Sequence, residues 1–435
     1  MNISIILPSR NNLKYLKWSY AAIRKHQGRH TVQVCVADDF SDDGTWEWCA
    51  EIKEKDPDFD CIRNNGPTRV GHTILYDRLV NEVAKYDICM IYHADMYLCP
   101  GALDAIEGLM YEPDQNTSIP IGSVTDEDGN HLFFERGKLL KPVQKRIVSL
   151  TRIEPPLHPP GPEKFLMDFG TEPETFNESG LLSWVSEPSR YGSLTDGHTT
   201  EGIFAPWAFW KSDFQEIGGH DPLFAPQSKE DSDIFNRFQL NGVEFVQTWD
   251  GVVYHMTCRG SRFNPTLTSV GTNSPEWEAQ NVRSARNFIR KWGHYVKHDK
   301  YMKPIIPHKY DIAFYLYGGA GGAIGHFEPW CTTLYTTLPE THIEQYFLME
   351  QQNTRYDLRE RVKSGIPSKM LHDVTVLIRL DIQGMFTEAD MQYIQMLPEL
   401  LADSGVPHST MTIGNLEIHT NELVPIESGL IHLNK

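Results

Sequence analysis

Apolar positions in the first 110 residues fall into short dense runs separated by amphipathic stretches. Residues 2–7, 32–37 and 88–92 are apolar-rich runs of strand length, as in strands covered on both faces of a parallel sheet. Between the first two, Leu13, Leu16, Tyr20 and Ile23 recur at helical spacing with basic residues opposite. A second helix is predicted to begin near Thr45, a short strand at 62–65, and a third helix from about 69 to 85. Pro100-Gly101 then breaks the chain before an amphipathic helix from Ala102. This alternation of strand and helix predicts a parallel α/β sheet.

Past Tyr111 the pattern changes. Residues 119–124 read as a strand and 126–129 as a turn, followed by a basic run of Arg136, Lys138, Lys141, Lys145, Arg146 and Arg152. Five prolines between 155 and 162 make the next segment loop-like, and residues 140–205 are expected to wall an acceptor cleft. A solvated basic helix face explains the same lysines. Residues 204–209 are aromatic and apolar, 212–217 helical, and Gly218-Gly219-His220-Asp221 a turn. A helix opening at 228–233 runs through Leu240, and strands follow at 243–248 and 252–254. The helix at 274–292 is closed by Gly293, with Arg283, Arg286, Arg290 and Lys291 expected on a solvated side. Beyond residue 298 the pattern restarts: strand at 311–317, a Gly-rich turn at 318–322, helix within 338–352, strand at 374–380, helix at 387–404 and strand at 409–423. The expected division is 1–298 and a small α/β domain at 308–435.

Composition narrows the function classes. Across 435 residues the formal net charge is −18, which works against general affinity for nucleic acid or anionic membrane. Seven cysteines, odd in number and without a Cys-x-x-Cys pair, read as reduced buried thiols in a cytoplasmic protein. No apolar run approaches membrane-spanning length, so no stable membrane insertion is expected. The Gly-x-Gly-x-x-Gly fingerprint and the P-loop are absent after the first strand.

The candidate chemistry sits at strand ends, where ligands collect in open α/β sheets. The run at 88–92 delivers His93 and Asp95, a pair able to hold a divalent cation against a diphosphate. Strand 32–37 ends in Asp38-Asp39-Phe40-Ser41-Asp42-Asp43-Gly44-Thr45. A turn and helix cap explain Asp42, Asp43 and Gly44 but leave Asp38 and Asp39 as ligand candidates. Glu230 and Asp231 open a helix, where the dipole keeps a carboxylate ionised. Plain dipole compensation accounts for them equally. His255 ends a strand, and Cys258-Arg259-Gly260-Ser261-Arg262 is a basic Gly-containing loop suited to phosphate.

Placed in order, these residues resemble the family-two glycosyltransferases of GT-A fold over the first 295 or so positions. Residues 3–11 are similar to the family's opening strand and Pro-Thr-Tyr-Asn turn, and 38–45 to its Asp-Asp-x-Ser-x-Asp-Gly-Thr motif. Gly218-Gly219-His220-Asp221 with Glu230-Asp231 resembles its Gly-Gly-Phe-Asp and Glu-Asp motifs, and Arg290-Lys291-Trp292-Gly293 an ending seen in many members. The layout also resembles bacteriophage-encoded members. The resemblance implies a mixed, mainly parallel sheet with helices on both faces, and an inverting, metal-assisted transfer from a UDP-sugar to an acceptor hydroxyl. Pro8, Ser9, Arg10, Asn11, Asp38, Asp39, Ser41, Ala94, Arg259 and Arg262 would bind the donor, with Asp39 reading uracil and the two late arginines clamping the diphosphate. Asp95, His93 and His255 would hold the cation, Mn²⁺ in preference to Mg²⁺, because His93-Ala94-Asp95 stands where the family has Asp-x-Asp. Asp231, beside Glu230, would be the base. Asp39, Asp95 and Asp231 are expected to share one pocket. A glycan, a lipid-linked sugar, a protein or a hydroxymethylated DNA base are all open as acceptor, the last needing a basic groove at 136–152. A nucleotidyltransferase and a non-catalytic sugar-binding protein are the rival readings.

Overall fold

The computed structural model describes residues 1–114, 134–135, 138–161, 163–187, 198–257, 273–427 and 429–433. The strand expected at 119–124, the turn at 126–129 and Arg136 lie outside them. The chain forms two compact units. The first comprises Met1–His220, Phe238–Trp277 and His298–Lys303; the second comprises Asp221–Arg237, Glu278–Lys297 and Pro304–Lys435. The division therefore differs from a single cut near residue 300, since two earlier segments group with the C-terminal sheet.

The first unit is built on one mixed sheet. Its main strands are β1 (Asn2–Ser9), β2 (Thr31–Asp38), β3 (Phe59–Arg63), β4 (Ile88–Ile91), β5 (Met96–Leu98), β6 (Arg146–Glu154), β7 (Trp207–Trp210) and β8 (Glu244–His255), with the short strands Lys164–Leu166 and Thr199–Thr200 added at β6 and β8. The spatial order is β8-β6-β7-β4-β1-β2-β3, with β5 paired to the end of β8. The strands β4, β1, β2 and β3 are mutually parallel, β7 runs antiparallel to both neighbours, and β8 is parallel to β6. All four residues of β4 are buried, as its apolar run requires. Helix α1 (Leu13–His26) buries Tyr15, Leu16, Ser19, Ala22 and Ile23, and α2 (Thr45–Lys55) and α4 (Ala102–Met110) begin where expected. The third helix is shorter than predicted: α3 (His72–Arg78) continues only as a π-turn over Leu79–Val83.

Two strands depart from the sequence reading. Residues 146–154, read as part of a basic run and of the cleft wall, are a strand with eight of nine residues buried, and it lies inside the sheet. Its inward Ser149, Thr151, Arg152 and Glu154 interrupt the apolar run that would have marked it. The expected strands at 243–248 and 252–254 are one strand, β8, with a bulge between Thr248 and Val252. Gly251 makes that continuity possible: a Cβ there would stand 2.6 Å from Leu150 and 3.0 Å from Ala105.

The second unit has its own sheet of β9 (Ile312–Tyr317), β10 (Thr333–Thr336), β11 (Val362–Ser364), β12 (Val374–Arg379), β13 (Ser409–Ile413) and β14 (Leu416–Thr420). The order is β11-β10-β9-β12-β14-β13, four parallel strands and an antiparallel hairpin. The single strand expected at 409–423 is this hairpin, turned at Gly414-Asn415 with Gly414 at φ 59°. The helix expected at 387–404 breaks into Glu388–Gln395 and Leu397–Ser404, with Pro398 at the restart. Arg290 and Lys291 are not solvated: they are 2% and 4% exposed, locked to carboxylates of the same unit.

Candidate active site

The carboxyl ends of β4, β6 and β8 assemble a buried cluster. After β4 a tight turn, with the Met96 amide donating to the His93 carbonyl at 3.2 Å, reverses the chain into β5. The short strand β5 pairs antiparallel with the end of β8, Met96 opposite His255. The Met256 amide donates to the Asp95 carbonyl at 3.0 Å. This pairing, not legible as an element in the sequence, sets Asp95 beside His255. Nε2 of His255 lies 3.4 Å from Asp95 Oδ1, and the His93 and His255 ring centroids are 5.7 Å apart. Ligand atoms of His93, Asp95 and His255 all fall within 4.8 Å of one another. Ala94, between the first two, is 5% exposed.

The cluster's charges are strongly coupled. Burial, aided by His255, pushes His93 down to about 3, so its imidazole is neutral at physiological pH. Burial also pulls on His255, but Asp95 and then Glu154 outweigh it and lift the ring to about 9. Burial opposes ionisation of Asp95, yet the His255 charge holds it below the usual carboxylate range. Sequence reasoning missed Glu154, the last residue of β6. Its Oε1 accepts from Nδ1 of His255 at 2.8 Å. Lys164 lies 2.9 Å from its Oε2 and Arg152 3.1 Å from its Oε1. The only sequence signal was the polar-interrupted run 146–154 itself.

Two imidazoles and one carboxylate, largely enclosed and backed by a second carboxylate on a ring N–H, form a donor set that fits a first-row divalent cation. The other His–carboxylate group among the described residues, His30 with Asp104 and Glu107, has Arg29 on both carboxylates. That cation already meets its charge.

At the ends of β1 and β2 the expected donor residues form a second structured edge. The Asp39 amide donates to the Ser9 carbonyl at 2.9 Å, and Arg10 to the Asp39 carbonyl at 3.0 Å. Pro8 is half-buried and Ser9 buried. Asn11, at φ 47°, latches the two loops: its amide donates to Ser41 Oγ at 2.9 Å and its Oδ1 accepts from the Asp42 amide at 3.0 Å. Asp38 points inward, fully buried, holding the Ser41 amide at 3.1 Å and Arg63 at 3.1 Å. It acts as an internal strut and presents no carboxylate oxygen to solvent. Asp39 accepts from Asn64 Nδ2 (2.8 Å) and the Val70 amide (2.9 Å) at Oδ1, and from the Gly71 amide (2.8 Å) at Oδ2. One lone pair of Oδ2 is left for a further donor. Burial and the neighbouring Arg10 lower Arg69, with Asp39 opposing; this second guanidinium beside Asp39 was not anticipated. Because β4, β1 and β2 are adjacent and parallel, the loops that carry Asp39 and Asp95 leave the sheet at the same end.

Arg259 and Arg262 lie outside the described residues. Glu230 and Asp231 begin the helix Glu230–Leu240 and belong to the second unit. Ser228 and Lys229 precede them with φ of 79° and 70°, a strained approach that Asn281 supports through Ser228 Oγ at 2.8 Å and Lys229 Nζ at 3.2 Å. In the Gly-Gly-His-Asp turn, His220 is structural: its amide and Nδ1 donate to Asp77 at 3.0 and 2.8 Å, and its ring stacks on Tyr76. Of the basic run, Lys141, Lys145, Arg146 and Arg152 each face a carboxylate of the protein. No helix among the described residues is long and apolar enough to cross a membrane.

The mixed sheet carries its His–carboxylate cluster at the carboxyl ends of its strands. Residues 4–161 match the family model described as glycosyl transferase family 2, a span that contains β1 to β6 with the Asp39 and Asp95 loops. No curated protein matches the chain. Among solved structures, GalNAc-T7 with UDP, GalNAc and Mn²⁺ is similar at 11% identity, over 67% of this chain and 51% of that one, with a TM-score of 0.42. Mannosyltransferase PcManGT from Pyrobaculum calidifontis, in complex with GDP-Man and Mn²⁺, is similar at 15% identity over 66% and 63%, TM-score 0.38. S. aureus TarS 1–349 in complex with UDP-GlcNAc is similar at 13% identity over 66% of each chain, TM-score 0.37. The chain thus spans about half of the first and under two thirds of the second.

Proposed function

We propose that the protein is a glycosyltransferase, an inverting, cation-assisted enzyme that moves a sugar from a nucleotide-sugar donor, a UDP-sugar by preference, to an acceptor hydroxyl. The observation that carries the reading is the buried His93–Asp95–His255 cluster at the strand edge shared with Asp39. Bound there, a divalent cation would neutralise charge on the donor's diphosphate as the leaving group departs. The imidazole content favours Mn²⁺ over Mg²⁺. On the nucleoside side, the free lone pair of Asp39 Oδ2 would accept the ring N–H of the base, while Arg10 and Arg69 supply positive charge beside it. Ser9, Asn11 and Ser41 shape that pocket through their latch. The base is assigned to Asp231 from the Glu-Asp motif: it would take the proton of the acceptor hydroxyl as the new C–O bond forms and the bond to phosphate breaks.

The test is incubation with a panel of nucleotide sugars and Mn²⁺, reading release of free nucleotide. Slow hydrolysis that a chelator stops is the expected outcome; no release from any donor, with or without metal, would contradict it. Asp231→Asn should leave donor binding nearly intact and lower turnover roughly 10²–10⁴-fold. Unchanged turnover would remove Asp231 from the mechanism.

A further inference from the structure

We propose that Glu154 is a positioning residue that fixes the ring of His255, so that Nε2 and not Nδ1 faces Asp95 and the cation site. The role rests on the metal-site reading above and assigns it a residue outside the motifs. Glu154 and His255 are the terminal residues of adjacent parallel strands, one step past the Ile153–Tyr254 pair, so the sheet register itself brings them together. A carboxylate can only accept, so the 2.8 Å contact puts the proton on Nδ1. Nε2 is then the nitrogen turned to Asp95, 3.4 Å away. Without that acceptor, a half-turn of the imidazole would put Cε1 near where Nε2 stands and carry the Nε2 lone pair away from the site.

Glu154 is in turn held from behind. Arg152 contacts it at 3.1 Å and also donates to Glu163 at 3.1 Å, while its guanidinium lies 3.6 Å from the Phe204 ring centre. Lys164 closes the second oxygen at 2.9 Å. Glu154, Arg152 and Glu163 are 1%, 5% and 7% exposed. Two carboxylates and two cations balance, so the rack adds no net charge beside the ion it serves. Enclosing four charges costs several kcal/mol per ion before pairing, and apolar residues would close a strand end without that cost. The arrangement is accounted for by the orientation it imposes on His255.

The experiment measures Mn²⁺ binding directly on the full chain, by the electron paramagnetic resonance signal of the free aquo ion. Two charge-balanced double variants, Glu154→Met/Lys164→Met and Glu154→Gln/Lys164→Met, are compared with wild type. Thermal unfolding verifies that each is folded. The Met pair has no acceptor for Nδ1–H and should bind Mn²⁺ roughly 10–100-fold more weakly. The Gln variant retains an amide oxygen and should recover most of the loss. Wild-type affinity in the Met pair, or equal loss in both variants, overturns the role of Glu154 alone. Failure of the wild type to bind Mn²⁺ overturns the metal site and this role together. A merely structural Glu154 would lower the unfolding temperature without separating the two variants in affinity.

Discussion

In the second unit Glu328 is fully buried and saturated. Arg290 donates to both of its oxygens at 2.7–3.2 Å, Tyr346 adds its hydroxyl at 2.8 Å, and Arg361 closes the remaining side. In the first unit Asp95 is also buried, yet it meets His255 at 3.4 Å, longer than an ordinary hydrogen bond. His93 stands neutral beside both. The same residue types thus serve two ends. A carboxylate with every lone pair matched is a lock, whereas a loosely met carboxylate between two imidazoles, each braced on its far side or by burial, is what the proposed cation receptacle needs. Burial and a shifted pKa do not separate the two; the completeness of the hydrogen bonding does.

The largest expected effect that tests this contrast is on the receptacle. Asp95→Ala should cost turnover roughly 10³-fold or more, the several kcal/mol of a cation's contribution, while the protein stays folded. A steady-state assay with a thermal melt checks both. Glu328→Gln should do the reverse, costing about 3–5 kcal/mol by stranding Arg290 and Arg361 while Mn²⁺ affinity stays at the wild-type value. Denaturant unfolding measures it, and a large shift in Mn²⁺ affinity would erase the distinction between the clusters.

The two clusters should also fail at opposite ends of the pH scale. Burial would raise Glu328, but Arg361 and Arg290 hold it at about 2, against an ordinary 4.5. A depressed carboxylate stabilises fully above 4.5, and that contribution is lost as pH falls toward 2. His255 is raised from 6.5 to about 9 in the metal-free protein. Its contribution is complete below 6.5 and disappears as pH rises through 9. Glu328→Gln should therefore flatten the acid limb of a stability–pH curve, and His255→Gln the alkaline limb. The smallest effect is Tyr346→Phe, which removes one donor from the lock for about 1 kcal/mol and leaves metal binding unchanged.

How much was legible follows from how each residue is held. The strands ending at Asp38 and Ile91 were readable because both faces are apolar, and the Asp39 and Asp95 positions because strand ends in such sheets carry ligands. The strand Arg146–Glu154 was not, since the buried Thr151, Arg152 and Glu154 interrupt its apolar run and mimic a surface segment. β5 was hidden because three residues pair only with a strand about 150 positions later. Asp38 and Asp39 are adjacent and chemically identical. Only the contacts to Ser41, Arg63, Asn64, Val70 and Gly71 distinguish the strut from the residue with a lone pair to spare. Arg290 and Lys291 looked solvated because helical periodicity cannot reveal carboxylates arriving from other elements.

The central claim is that His93, Asp95 and His255 hold a cation through which the nucleotide is bound. Calorimetric titration of UDP into the full chain, with Mn²⁺ and then with excess chelator, tests it most directly. The account predicts binding with Mn²⁺ and its loss on chelation, with Asp95→Ala behaving as the chelated wild type. UDP binding of equal strength without metal, or retained in Asp95→Ala, would contradict it.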